Sequence, residues 1–323
     1  RVQNCWIGTV DGLLASWNGG DGVRIQDAQG TLVSGSLVSG NTGHGVHVVG
    51  DGAANTRIQG NWIGLDSTGN RPLDIEAGGS AFGNQGDGVH IDGASGAIVG
   101  GDTPEQRNAL SGNAGDGVHV RGAGASGTVI SGNYIGVDAV GGFNKWGIDN
   151  MIPAANGHHG VRLEDTSNCV VGGATVGHRN IISQNSLGVL ILGATATGNQ
   201  ILGNYIGTDK EGSRALPNTG GGVELTDTGG NTIGGTVEGA RNIISGNAGV
   251  GVHVLHQTPL RQELAGNRIL GNTIGPDPSG SVPPSLYYKT VDPVPYHNPG
   301  GIWIKGADNT IVGGTEEGAG NLI

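Results

Sequence analysis

The sequence predicts an all-β fold, a parallel β-helix of about nine coils with three short strands per coil, on three observations. A tetrapeptide of glycine, valine or isoleucine, a variable residue and an aliphatic residue begins at Gly22, Gly45, Gly88, Gly117, Gly160, Gly188, Gly222, Gly251 and Gly301. Two further phrases recur between its copies, one typified by "NTRIQG", "NRILG" and "NTIVGG", the other alternating between forms such as "GNYIGVD" and "ARNIISGN". Glycine supplies 68 of 323 residues without a G-X-Y period, and a 35% apolar fraction rich in Val and Ile argues against disorder.

Each element follows from local chemistry. In the tetrapeptide, period-two alternation places the β-branched residues on one side, which specifies a short half-buried strand. The glycine ahead of it suits a sharp turn with positive φ. Short strands recurring every 23 to 50 residues cannot bury a face alone, but stacked coils can. At a strand spacing of about 4.8 Å the stack would be on the order of 45 Å long. Asn41, Asn61, Asn113, Asn133, Asn185, Asn204, Asn247 and Asn272 are expected at the corners, their amides bonding up and down the stack.

The aspartates of "IGxD" (Asp66, Asp138, Asp209 and Asp277) are each followed three residues later by glycine. A turn closed by the carboxylate on local amides explains this. Calcium is the alternative, but it takes six to eight oxygens, and the sequence offers no dense ligand run. No cofactor is therefore expected. Long insertions enter alternate coils after "IGxD", at Ser67–Asp87, Ala139–His159, Lys210–Gly221 and Pro278–Gly300. Cys5 and Cys169 lie several repeats apart and read as free buried thiols.

Composition narrows the partners. A net charge of −11 with only 16 basic residues, nowhere in a run, argues against nucleic acid. No apolar stretch approaches the roughly 18–20 residues of a membrane span.

The pattern "NYIGTDKEG…GVEL…NTIGGTVEGARNIISGN…GVHV" resembles the right-handed parallel β-helix repeats of secreted and surface bacterial proteins. These belong to the broad pectate-lyase-like superfamily, and the resemblance covers essentially the whole chain. It implies an extracellular or cell-surface location and a right-handed coil, the hand that crossover chirality also favours. The fold hosts lyases, hydrolases, epimerases, adhesins and spacers, so function has to be read from residues. Residue 1 falls inside a repeat unit, and "EEGAGNLI" stops where "ISGN" would follow. Residues 1–323 are therefore expected to form one β-helix domain, an excerpt of a longer array or one whose ends neighbouring copies cover.

The variable residues of the nine strands form a predicted outward column: Arg24, His47, His90, His119, Arg162, Leu190, Glu224, His253 and Trp303. A metal would need these parallel side chains to converge, and no second carboxylate motif completes a ligand set, so no metal is expected. Phe82, Phe143, Trp146, Tyr287, Tyr288 and Tyr296 fall in the insertions beside that column. Aromatic faces over polar strands suit sugar rings. The candidate ligand-binding residues are His47, His90, His119, His253, Trp303, Trp146 and Tyr287. A second outward column is expected to contain Trp6, Trp62, Tyr134 and Tyr205, with Asn108, Asn180 and Asn242 between them. That column could face carbohydrate, pack against another chain or lie under the insertions.

No catalytic residue is assigned. "GHG" at Gly43–Gly45 resembles a polygalacturonase-like element, but the paired aspartates and basic motif that accompany it are missing. "DPVPYH" from Asp292 does not match the Asp-Pro-His-Glu signature of alginate epimerases. Arg24, Arg162 and Lys305 leave a lyase open, yet no acid, base and charge stabiliser assemble. The sequence therefore reads as a noncatalytic extracellular structural or adhesive segment of a cell-surface or fibrous protein. Its expected partners are polysaccharide or neighbouring copies of itself. The alternative is a polysaccharide-active enzyme, a lyase, hydrolase or epimerase, using the groove beside the histidine column. A clustered set of ionisable residues with shifted pKa values would distinguish the enzyme from the rod.

Overall fold

The computed structural model describes residues 1–73, 83–142, 155–257, 264–286 and 297–323. Three parallel sheets run along it. The first has ten strands, from Val2–Gln3 to Ile311–Val312; the second has nine, from Trp6–Ile7 to Thr273–Ile274. The third also has nine, from Val23–Gln26 to Ile302–Lys305. Each strand pairs in parallel with its counterpart one coil away, so the chain is a right-handed parallel β-helix. No helix among the described residues is long and apolar enough to cross a membrane, which says nothing of strand-built spans.

The inward residues form continuous columns. Val46, Val89, Val118 and Val161 stack in the third sheet, Ile58, Val99, Ile130 and Val171 in the first, and Ile63, Leu110, Ile135 and Ile182 in the second. All are fully buried. Each contributes roughly 1.5–3 kcal/mol by burial, before the entropy of ordering is set against it.

Asparagines occupy the bends, as expected. Asn41, Asn84, Asn113, Asn156, Asn185, Asn218 and Asn247 form one ladder, each Nδ2 donating to the next Oδ1. Asn61, Asn108, Asn133, Asn180, Asn204, Asn242 and Asn272 form another. A shorter third ladder joins Asn199, Asn231 and Asn267 at the remaining bend.

The glycine that opens each third-sheet strand is needed for space rather than for positive φ, which none of the nine has. A Cβ on Gly117 would sit 2.6 Å from Ile135 Cγ2 and 2.7 Å from the Gly160 carbonyl oxygen. Positive φ appears instead at the glycine after the second-sheet strand. Gly136, at φ +81°, has room for no side chain, since a Cβ would lie 2.1 Å from the Ser183 oxygen.

The "IGxD" aspartates close turns on local amides. Asp138 Oδ1 accepts the Val140 and Gly142 N–H groups at 3.1 and 2.8 Å, and Asp209 Oδ1 those of Ser213 and Arg214 at 3.0 and 3.2 Å. Burial raises the Asp209 pKa, with the Glu211 charge adding to it, against the two amides. A raised carboxylate lets the fold hold a proton that the unfolded chain has lost. Stability therefore falls as pH rises through that window, and above it the fold carries the full cost of the buried charge. Asp209→Asn keeps the acceptor oxygen and removes the charge. We expect a higher melting temperature than wild type at pH 7, the difference vanishing below about pH 4; a pH-independent difference would contradict the assignment.

Both cysteines are free; Cys169 is buried, whereas Cys5 is half-exposed rather than buried as expected. In the second aromatic column, the residues between Trp6, Trp62, Tyr134 and Tyr205 are Leu37, Ala109 and Ile181. Asn108, Asn180 and Asn242 sit one position earlier and belong to the buried ladder, which corrects the expected column. Tyr134 and Tyr205 lie under the aspartate turns, with Arg107 and Arg179 over their rings at 4.4 and 4.0 Å. Of the open alternatives for this column, cover by the following segment holds for these two tyrosines.

Candidate functional site

The outward column of the third sheet has the predicted register. Arg24, His47, His90, His119, Arg162, Leu190, Glu224, His253 and Trp303 pair in that order. His47, His90 and His119 come together, while His253 lies four coils beyond His119. There it stacks on Trp303 at 4.7 Å and its Nδ1 lies 3.1 Å from Glu224 Oε2. Trp146 and Tyr287 fall outside the described residues, as do Phe82, Phe143, Tyr288 and Tyr296.

The predicted outward column is largely covered where the histidines meet, since His90 and His119 are each only 8% exposed. A second column covers them. The residue before each strand glycine also stacks coil on coil: Asp21, His44, Asp87, Asp116 and His159. Sequence reasoning missed these residues. Their signal was present in "GDGVHV" and "GHGVHV": if the glycines align, so do the residues preceding them.

Between the two columns the polar groups interlock. Asp21 Oδ2 lies 2.8 Å from His47 Nδ1, and Asp87 Oδ2 lies 2.8 Å from His90 Nδ1. At His90 the carboxylate fixes the proton on Nδ1 and leaves Nε2 with its lone pair, whereas His47 Nδ1 also faces the Arg24 guanidinium at 3.0 Å. His44 Nδ1 accepts the Asp87 N–H at 3.0 Å. His119 Nε2 lies 3.1 Å from Glu164 Oε2, whose other partner is the Arg162 guanidinium at 2.7 Å. The rings of His44, His47, His90 and His119 touch one another, with centroids 4.4 to 5.0 Å apart.

Backbone amides of the next coil hold the other oxygen of each carboxylate. Asp21 Oδ1 accepts His44 N–H at 2.9 Å, Asp87 Oδ1 accepts Asp116 N–H at 2.7 Å, and Asp116 Oδ1 accepts His159 N–H at 2.7 Å. The environments then push neighbouring carboxyls apart. Burial would raise Asp87, but bonds from His119, His90 and the Asp116 amide overcome it and hold the carboxyl well below its usual range. Asp116 is raised, first by burial and then by the Asp87 charge beside it. Burial lowers His44 and His159. Neighbouring carboxyls driven in opposite directions are the arrangement in which acid and base roles separate.

No family model matches the sequence, and no curated protein matches it. Among solved structures, the chain is similar to the periplasmic alginate epimerase AlgG, at 13% identity over 89% of this chain with a TM-score of 0.45. A point mutant of the same enzyme matches at 13% identity over 85% of the chain with a TM-score of 0.44. The chain spans about half the length of those structures, 50% in each case. At this identity the likeness concerns the fold alone.

The expectation of a noncatalytic structural or adhesive segment is overturned. A rod would carry regular columns without an ionisable cluster, whereas this face gathers imidazoles, carboxylates and guanidinium groups, with Asp87 and His44 lowered and Asp116 raised. The acid and base groups that the sequence left unassembled are assembled by the bend before each third-sheet strand.

Proposed function

We propose that the protein is a polysaccharide-active enzyme that removes a proton from an acidic sugar, with the third-sheet face as its active site. The observation that carries this reading is the Asp87–His90 pair, 2.8 Å apart, with no hydrogen bond to His90 Nε2 among the described residues. An imidazole oriented by a carboxylate is a general base near neutral pH. Its neighbours suit an anionic chain. Arg24 and Arg162 stand two coils to either side of His90, about 9.6 Å at the usual strand spacing, and Arg24 is half-exposed. A guanidinium on a sugar carboxylate neutralises its charge and acidifies the adjacent C–H.

His90 Nε2 would take that proton, and the electron pair would move into the carboxylate to give an enediolate. Collapse re-forms the carboxylate, makes a carbon–carbon double bond and breaks the glycosidic C–O bond on the adjacent carbon, the departing oxygen taking a proton from water; the product is an unsaturated sugar. Reprotonation from the opposite face gives the epimer. Hydrolysis by two carboxyls fits less well, because it needs a protonated acid within reach of the glycosidic oxygen. Asp116, the raised carboxyl here, is only 2% exposed. An extracellular location and kinship with the pectate-lyase-like superfamily belong to the same reading, since polymers of this kind are met outside the cytoplasm. The reading rests on the cluster and not on the likeness to the epimerase structures.

The test is incubation with neutral and acidic polysaccharides in deuterated water, followed by NMR. Deuterium at the carbon that bears the carboxyl group, or unsaturated ends, is the expected result with an acidic polymer. New saturated reducing ends would make the enzyme a hydrolase, and binding without turnover would overturn the catalytic reading.

A further inference from the structure

We propose that Asp87, Asp116 and His119 form a binding site for a zinc-class divalent metal ion, which shares Asp87 with the Asp87–His90 pair. Asp87 Oδ2 lies 3.5 Å and Asp116 Oδ2 3.9 Å from His119 Nδ1, and the three atoms fall within 4.8 Å of one another. All three residues are buried.

Asp116 points to the ligand. Its side chain is only 2% exposed, and its Oδ1 is held by the His159 amide. Its Oδ2 receives no hydrogen bond from any described residue and is aimed into this centre. A carboxylate in so buried a place is costly as an ion, and a cation between the three atoms would offset that cost.

The surroundings match a metal ligand set. Without an ion, His119 Nδ1–H faces Asp87 Oδ2; a metal would displace that proton and leave the other N–H on Nε2, facing Glu164 at 3.1 Å. The cation would then meet three lone pairs, one from His119 Nδ1 and one from each carboxylate. A ligating histidine characteristically donates its other N–H to a carboxylate, and Arg162 holds Glu164 in place at 2.7 Å. The amides on Asp87 Oδ1 and Asp116 Oδ1 leave each Oδ2 to point inward. Asp87 Oδ2 also meets His90 Nδ1–H, and its second lone pair remains for the metal.

Two neighbouring triads are weaker candidates. Arg24 lies 3.4 Å from Asp21 Oδ2 and 3.0 Å from His47 Nδ1, so a cation already occupies the Asp21–His44–His47 group. In the His44–Asp87–His90 group, the His44 Nδ1 lone pair accepts the Asp87 amide. One nitrogen and two oxygens suit zinc at about 2.0–2.2 Å with one position open, whereas calcium would want six to eight oxygens.

The test is titration of chelator-treated full-length protein with zinc chloride by calorimetry, with melting temperature as a second readout. One ion per chain and a rise in melting temperature are expected. Asp116→Asn and His119→Gln, each checked for folding by circular dichroism, should weaken binding at least about 100-fold. His253→Gln, four coils away, should bind as wild type does. Absence of stoichiometric binding would overturn the proposal and leave the centre holding a proton. Wild-type affinity in folded Asp116→Asn or His119→Gln would overturn it equally; if one variant fails to fold, the other decides.

Discussion

His90→Gln is expected to lower kcat on an acidic polysaccharide by about 10²–10⁴-fold, the usual contribution of a positioned general base. KM should change little, because the guanidinium groups that would hold the polymer are untouched. Asp87→Asn should cost a similar factor for a different reason. An asparagine in place of the Oδ2 atom, 2.8 Å from His90 Nδ1, can no longer fix the imidazole proton there. The base nitrogen would then carry the proton in much of the population. The double variant should be scarcely worse than either single one, since the two side chains act as a unit. Steady-state kinetics on the three variants checks this. If the two losses multiply, the groups work separately and the dyad is wrong. His90 is not among the proposed metal ligands, so loss of turnover in His90→Gln with zinc binding intact separates catalysis from metal binding. Unchanged turnover in His90→Gln would move the base to another imidazole of the cluster.

Register was legible in the sequence because the strand phrase has period two and a glycine that fits nowhere else. Once Gly88 and Gly117 are aligned, His90 must face His119, and the pairing follows that alignment. The asparagine bends were legible for a related reason, since an amide that recurs once per coil can bond to its own copies. The chemistry was less legible. Asp87 and Asp116 stand in the same short phrase as the histidines, three residues before them and across the bend. Alternation along a strand says nothing about a residue on the far side of a turn. That Asp87 Oδ2 reaches His90, while Asp87 Oδ1 takes the amide of Asp116 one coil on, depends on backbone direction at the bend. A search for known catalytic signatures could not find it either, because no signature is present; the cluster arises only by stacking. The positive φ expected at the strand glycine failed for a packing reason. At Gly117 the crowding comes from Ile135 and the next coil's carbonyl, which a local reading of the turn does not contain.

Asn133→Asp is expected to be among the most damaging single changes to stability, on the order of 3–5 kcal/mol at pH 7. Asn133 is fully buried, and all of its hydrogen-bonding capacity is used. Its Oδ1 accepts the N–H and the Nδ2 of Asn108, at 3.3 and 3.0 Å. Its Nδ2 donates to Val99 O at 2.9 Å, Ser131 O at 3.0 Å and Asn180 Oδ1 at 3.1 Å. Aspartate has the same shape and no donor when ionised, so a buried negative charge would face three oxygens that expect hydrogens. Burial raises such a carboxyl above its unfolded value of about 3.9. The folded variant therefore binds a proton more readily than the unfolded one, and its deficit against wild type should shrink as pH falls through that window. Asn133→Ala loses the same bonds without placing a charge there, so its deficit should not vary with pH in this way. Guanidinium unfolding of both variants between pH 7 and pH 4 distinguishes the causes. A flat deficit equal to that of the alanine variant would mean that the ladder contributes packing alone. A deficit that shrinks with acid would show that the asparagine column is selected for its two donors, which explains why aspartate, common elsewhere in these turns, is absent from both long ladders.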